Sequence, residues 1–259
     1  MSKDESGRAC ITLDLEQDLP QAVTGSSYES LSEIEFLKDI ITRHGLRVTA
    51  FTTGYLIENK PDLIDSLSEV GVEFALHSYS HEVGNDMGRE VEHAVNAYED
   101  RFGRRPVGYR APLGIIDDAG LEILARHGFK YDSSIFPSIF PGRYMNLKYP
   151  KTPFMHEEYG IMELPVSVTP YIPLPISLSY MKLLGYNTYS MLLRNKLPDP
   201  LIFDFHMHDL SYNSAHERLP FKWRLIYGRN KYAGKPMLEK FIGLLRSRGY
   251  SFCHMKELI

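Results

Sequence analysis

Cysteine is nearly absent. Cys10 and Cys253 are the only two, too few for a disulfide framework or a cysteine-rich zinc cluster. Their apolar surroundings predict two buried, reduced thiols. Long apolar runs are lacking as well: nothing approaches the ~20 residues that cross a bilayer. The opening stretch MSKDESGRACITLDLE holds no secretory core, so a cytoplasmic location is the expectation. Positive charge is not in excess either. With 29 basic and 33 acidic side chains the net charge is −4, the wrong sign for a general nucleic-acid binder, and no nucleic-acid motif is present. A hydrophobic content of 43% argues against disorder.

What is present is alternation. Short β-rich runs at Cys10–Glu16, Val48–Thr53, Val72–His77, Val107–Arg110, Phe129–Ser133, Ile161–Val168, Leu201–His206 and Ser251–Met255 are separated by helical periodicity near Ser30–His44, from Pro61, and over Arg89–Phe102, Asp117–His127 and Pro236–Arg248. The pattern predicts an α/β fold with a parallel, barrel-like sheet. A single domain over 1–259 is expected, with an irregular insert at about 135–200 where most of the 16 prolines fall. In such a barrel the chemistry sits at the C-terminal strand ends. Asp14, Glu16, His77, Arg110, Asp132 and His206 all fall there and are expected to converge on one mouth.

His77 and His81, in HSYSH, are four apart. Alone, such a pair is better explained by bonds to backbone or solvent. Asp14 and Glu16 change that balance. Two apart on an extended strand, they face one side, where paired carboxylates need a cation or an arginine. Arg110 offers one counter-charge. A metal held by two imidazoles and one carboxylate offers another, leaving the second carboxylate to accept a proton.

Five motifs in chain order, LDLE, HSYSH, RAPLG, KYDSS and FDFH, resemble those of the polysaccharide deacetylase family (the NodB-homology, carbohydrate esterase family 4 group), in the subgroup with a D-x-E first motif. The resemblance spans about residues 10–255. It implies a distorted (β/α)7-type barrel with one divalent metal ion, most often Zn2+, that hydrolyses an N-acyl group from a sugar. Matched by position, Asp14 stands as general base, and Glu16, His77 and His81 as metal ligands. Arg110 pairs with the base, the Leu113 backbone N–H serves the oxyanion, and His206 is the general acid. Most members have adjacent aspartates where this chain has Asp14-Leu15, so Asp18 is an alternative to Glu16 as ligand. Asp132 either tunes His206 or lines the site. His208 and Asp209 read foremost as a solvated loop pair, with orientation of His206 by Asp209 as the alternative.

An N-acylated carbohydrate met in the cytoplasm would be a nucleotide sugar, a lipid-linked sugar or a small oligosaccharide. Six cations between His216 and Pro236 (Arg218, Lys222, Arg224, Arg229, Lys231 and Lys235) oppose only Glu217, and suit a phosphate or an anionic headgroup. The apolar stretch Tyr171–Tyr189 could lie on a membrane, wall the cleft or pack on the barrel. Hydrolysis of a cyclic amide, as by allantoinase-like relatives, is the alternative reaction.

Overall fold

The computed structural model describes residues 7–19, 27–82, 86–140 and 142–259. The chain forms β1 (Arg8–Leu15), α1 (Ile34–His44), β2 (Val48–Thr52), α2 (Gly54–Asn59), α3 (Pro61–Glu69), β3 (Glu73–Leu76), α4 (Met87–Phe102), β4 (Gly108–Tyr109), α5 (Asp118–Arg126) and β5 (Tyr131–Asp132). A hairpin follows, β6 (Ile139–Phe140) and β7 (Tyr144–Met145), then β8 (Phe154–His156) and β9 (Ile161–Glu163). The last third holds α6 (Leu178–Leu184), α7 (Tyr186–Leu192), β10 (Leu201–His206), α8 (Met207–Leu210), α9 (Ser214–Glu217), α10 (Phe221–Tyr227), α11 (Gly234–Ser247) and β11 (Ser251–Phe252).

The main sheet runs β10-β1-β2-β3-β4-β5-β9-β8, with β11 also paired to β1. Every pairing is parallel except β8 against β9. The expected strand at 161–168 stops at Glu163, ahead of Pro165. The chain beyond still closes the curled sheet: the Ser167 N–H donates to the carbonyl of Ile202 (2.9 Å), and that of Asp204 to Ile176 (3.4 Å). This is the parallel α/β sheet that the alternation predicts, curled into the distorted barrel that the family resemblance implies. Among the described residues no helix is long and apolar enough to cross a membrane.

Period-two alternation sorts β1 into two columns. Ala9, Ile11, Leu13 and Leu15 face outward onto the helices, in a core with Leu37, Ile40 and Ile41 of α1 and Phe241 and Leu245 of α11. Cys10, Thr12 and Asp14 form the inward column. Cys10 joins an apolar floor with Phe51, Tyr131, Ile202 and Met255. It is a free, buried thiol 3.5 Å from Cys253 Sγ, as expected. Register then stacks Thr12 beside Asp204 and Asp14 beside His206, so the interior passes from hydrocarbon to charge toward the rim.

Candidate active site

Arg110 leaves β4 fully buried, and all five guanidinium N–H donors have acceptors. Nη1 donates to Asp14 Oδ1 (2.6 Å) and Asp204 Oδ1 (2.7 Å), Nη2 to Thr12 Oγ1 (3.1 Å) and Ser133 Oγ (3.0 Å), and Nε to the Ser133 carbonyl (3.0 Å). Its plane lies 4.0 Å from the centroid of Phe51. Burial alone would raise the Asp14 carboxyl. The charges of Arg110, His77 and His206 outweigh it and hold Asp14 below its ordinary value. Asp204 is not among the expected site residues. Burial and the adjacent Asp14 charge push it up to about 6. Its signal was the spacing in FDFH, which puts Asp204 on the face of His206.

Above this layer, His81 Nε2 approaches Glu16 Oε2 to 2.7 Å and His77 Nε2 approaches it to 3.5 Å. Oε2 is buried yet makes no hydrogen bond. Burial works to raise the Glu16 carboxyl, but the imidazoles, His81 foremost, hold it well below its usual range. His77 Nδ1 donates to the Arg110 carbonyl (2.7 Å), which leaves the Nε2 lone pair turned toward Glu16. Two imidazole nitrogens and an orphaned carboxylate oxygen within 4.8 Å of one another fit a divalent cation of the zinc type. Asp18 does not join them. Its carboxylate is taken by Ser27, Ser30 and Asn213.

The histidine loop has a holder that sequence reasoning missed. Ser78 and His81 both adopt the left-handed region (φ 63° and 64°), a strained choice for residues with a Cβ. Glu90 of α4 compensates by accepting from Ser78 Oγ (2.8 Å), the N–H groups of Tyr79 and Ser80 (3.2 and 2.8 Å) and Ser80 Oγ (3.0 Å). Its position thirteen residues after His77 gave no local signal. If the histidine pair holds a cation, Glu90→Ala is expected to weaken the affinity for added Zn2+ by about 10–100-fold, the usual cost of losing a residue that orients metal ligands; competition with a chromogenic chelator measures it.

His206 ends β10, with Nε2 3.6 Å from both Asp14 Oδ2 and Glu16 Oε1. Asp209 is not the solvated residue foremost in the sequence reading. It is fully buried, accepts from the His206 N–H (3.1 Å), and lies 3.7 Å from His206 Nδ1. Ser179 Oγ donates to both its oxygens (2.9 and 2.8 Å), and the buried Lys182 Nζ donates to its carbonyl (3.0 Å). Gly234 is needed here, because a Cβ would fall 1.9 Å from that same carbonyl. Burial opposes charge on His206. The Asp209 contact and the charges of Asp204, Asp14 and Glu16 overcome it and raise the imidazole to about 10. His208, buried and beside the charged His206, falls to about 3.

Asp132 neither lines the cleft nor touches His206. Buried at the end of β5, it lies in register with Glu163 and accepts from Ser134 Oγ (2.7 Å). Ser134 Oγ in turn accepts from the Ala111 N–H (2.7 Å). Its role is to brace the turn carrying Leu113. Burial, then the charge of Glu163, sends the Asp132 carboxyl well up, and burial raises Glu163 to about 7. A carboxyl raised on folding stays protonated while its unfolded counterpart ionises, so stability falls as pH climbs from about 4.5 through 7. Glu163→Gln is expected to remove that loss, gaining up to about 3 kcal/mol over the parent at pH 8 and little at pH 4, read from chemical denaturation at both.

Asp14, Glu16, His77, His81, Arg110, Asp204 and His206 line one open cleft, with Leu113, Arg143, Tyr144, Tyr180 and Tyr227 on its walls. Leu113 and Gly114 both take positive φ (59° and 64°), turning the chain sharply over the opening. The apolar stretch 171–189 packs Leu178, Met181 and Tyr189 into the core while Tyr180 walls the cleft. Among the expected cations, Lys235 pairs with Glu33. Lys222, Arg224 and Arg229 are exposed and have no ion-pair partner among the described residues.

Comparison with known proteins agrees with this geometry. Residues 34–131 match the family model described as polysaccharide deacetylase. A peptidoglycan deacetylase-like protein of Gibberella zeae is 35% identical over 106 residues, which is 38% of this chain and 31% of that protein. The peptidoglycan deacetylase of Helicobacter pylori is 28% identical over 136 residues, 51% of this chain and 46% of that one. The chain thus spans less than half the length of either relative. In fold, a crystal structure of a Mycobacterium smegmatis protein assigned as a polysaccharide deacetylase superposes with a TM-score of 0.65 at 21% identity, covering all of this chain and 91% of that one. The family match contains His77, His81, Arg110 and Leu113, and the barrel brings Asp14, Glu16 and His206 to them from outside it. Over residues 34–131 the chain matches the polysaccharide deacetylase family, and its fold is that of a solved structure so assigned.

Proposed function

We propose that this protein is a metal-dependent amidohydrolase that removes an acetyl or formyl group from the nitrogen of an amino sugar. The observation that carries the reading is the orphaned Glu16 Oε2, flanked by two imidazole Nε2 atoms and facing the same cleft as Asp14 Oδ2 and His206 Nε2. Glu16, His77 and His81 would hold the cation, with zinc the best match to this donor set. Such an ion supplies Lewis-acid activation of water and of the amide carbonyl.

The chain's own groups do the rest. Arg110 fixes Asp14 through Oδ1 and keeps it ionised, so Oδ2 is free to take the proton of the attacking water. The Leu113 N–H is assigned to the developing oxyanion. Amide nitrogen leaves only as an amine, and His206, held protonated by Asp209 and its neighbours, is placed to donate that proton. No assigned base, acid or ligand is missing, which speaks against a non-catalytic relic.

The sugar we assign is joined to phosphate or lipid, met by peripheral contact at a membrane surface. The unpaired cations Lys222, Arg224 and Arg229 support that reading. The test is acetate or formate release by zinc-loaded protein from a panel of N-acyl sugar nucleotides, lipid-linked N-acyl sugars and chitooligosaccharides. Release from a linear sugar amide, abolished by chelation and restored by zinc, is the expected result. Zinc binding with turnover of cyclic amides alone would overturn the sugar assignment.

A further inference from the structure

The cleft has a neighbour. Between α6 and α10 lies a second, partly open pocket, which shares Phe140, Ser179, Tyr180 and Tyr227 with the catalytic cleft. Beyond these shared walls it is lined by Leu183, Trp223 and Ile226. The polar groups at its base are already engaged: Lys182 Nζ with the Asp209 carbonyl, and the Asp209 carboxylate with Ser179. Phe140 forms the partition. The Trp223 ring stacks on it (centroids 6.3 Å, planes 14° apart), and the Arg143 guanidinium lies 4.9 Å from its centroid. Arg143 lines the catalytic cleft and has no ion-pair partner among the described residues.

A hydroxyl-covered glycan entering this pocket would lose water against Leu183 and Ile226. A hydrocarbon chain would gain from the same burial. The outer surface matches such an occupant. No residue of α10 is fully buried, and Phe221 and Leu225, 67% and 59% exposed, flank the unpaired cations Lys222 and Arg224, a pattern suited to an anionic lipid surface.

We infer that the α6–α10 pocket holds the hydrocarbon tail of a lipid-linked amino sugar, and that Arg143, at the partition, meets an anionic link between sugar and tail. The inference rests on the deacylase reading and deepens it.

Trp223 is the chain's only tryptophan, so intrinsic emission reports on this pocket independently of turnover. Zinc-loaded protein would be titrated, below micelle formation, with N-acetylglucosaminyl phosphates bearing a decyl or a farnesyl tail. N-acetylglucosamine 1-phosphate and chitotetraose serve as tail-free comparisons. The tailed ligands are expected to shift the emission to the blue and to saturate at concentrations at least about tenfold lower than the 1-phosphate. The better of the two tails distinguishes isoprenoid from straight-chain lipid. Arg143→Gln should weaken the tailed phosphates about tenfold without weakening a decyl glycoside that lacks the phosphate. Emission unmoved by either tail, or moved equally by chitotetraose, would overturn the inference. Acyl release from chitotetraose with silent emission would remove the tail pocket and keep the deacylase, whereas tail binding without acyl release from any sugar would do the reverse.

Discussion

Arg110→Met is expected to lower stability by about 3–5 kcal/mol at pH 8 and to abolish turnover. Methionine approximates the volume but leaves Asp14 and Asp204 facing each other, buried, with no cation between them. Their carboxyls must then rise from positions that Arg110 now restrains, and Asp204 already stands at about 6. Carboxyls raised by folding cost stability as pH increases past their unfolded values. The variant should therefore recover part of its deficit at pH 5, where both can take up protons. Urea denaturation at the two pH values measures this. A deficit under about 1 kcal/mol at pH 8, the size of an exposed ion pair, would show that the five-fold anchoring of Arg110 contributes little. Adding Asp204→Asn should restore some stability without restoring activity, because Asp14 still lacks its anchor.

Asp14→Asn carries the second large effect. Asparagine keeps an oxygen for Arg110 to bond, so the fold is expected to persist, and Glu16, His77 and His81 are untouched. Only the capacity to accept a proton is removed. The kcat should fall about 10²–10⁴-fold, the range for losing a positioned general base, while zinc stoichiometry and KM change little. Single-turnover rates with metal analysis on the same preparation separate the two. A kcat within tenfold of the parent would transfer the base's role elsewhere.

The barrel was legible because its strands end in the residues that chemistry needs. Asp14, Glu16, His77, Arg110 and His206 sit where a parallel strand meets the rim, and alternation alone turns Asp14 and Glu16 to one side. Asp204 escaped because a charge inside an apolar strand makes sense only once Arg110 reaches it, and that guanidinium comes from 94 positions earlier in the chain. Asp209 was misread for a similar reason. HMHDLS looks like an exposed turn until α6 brings Ser179 and Lys182 across it. The insert yielded least. Its helices α6 and α7 have seven residues each, too short for a periodic signal to emerge between prolines. Yet α6 supplies the wall next to His206. Asp132 shows the opposite error: a strand-end carboxylate that points into a brace rather than the mouth.

The pairing of Arg8 with Ser251 and Ala9 with Phe252 has a practical corollary. Gly7 and the last turn of chain gather at the foot of the barrel, a full strand length below Asp14 and Glu16. A bead, a scaffold or a partner enzyme attached at Gly7 or at the Met255–Leu258 turn would then hold the molecule by its base and leave the opening facing outward.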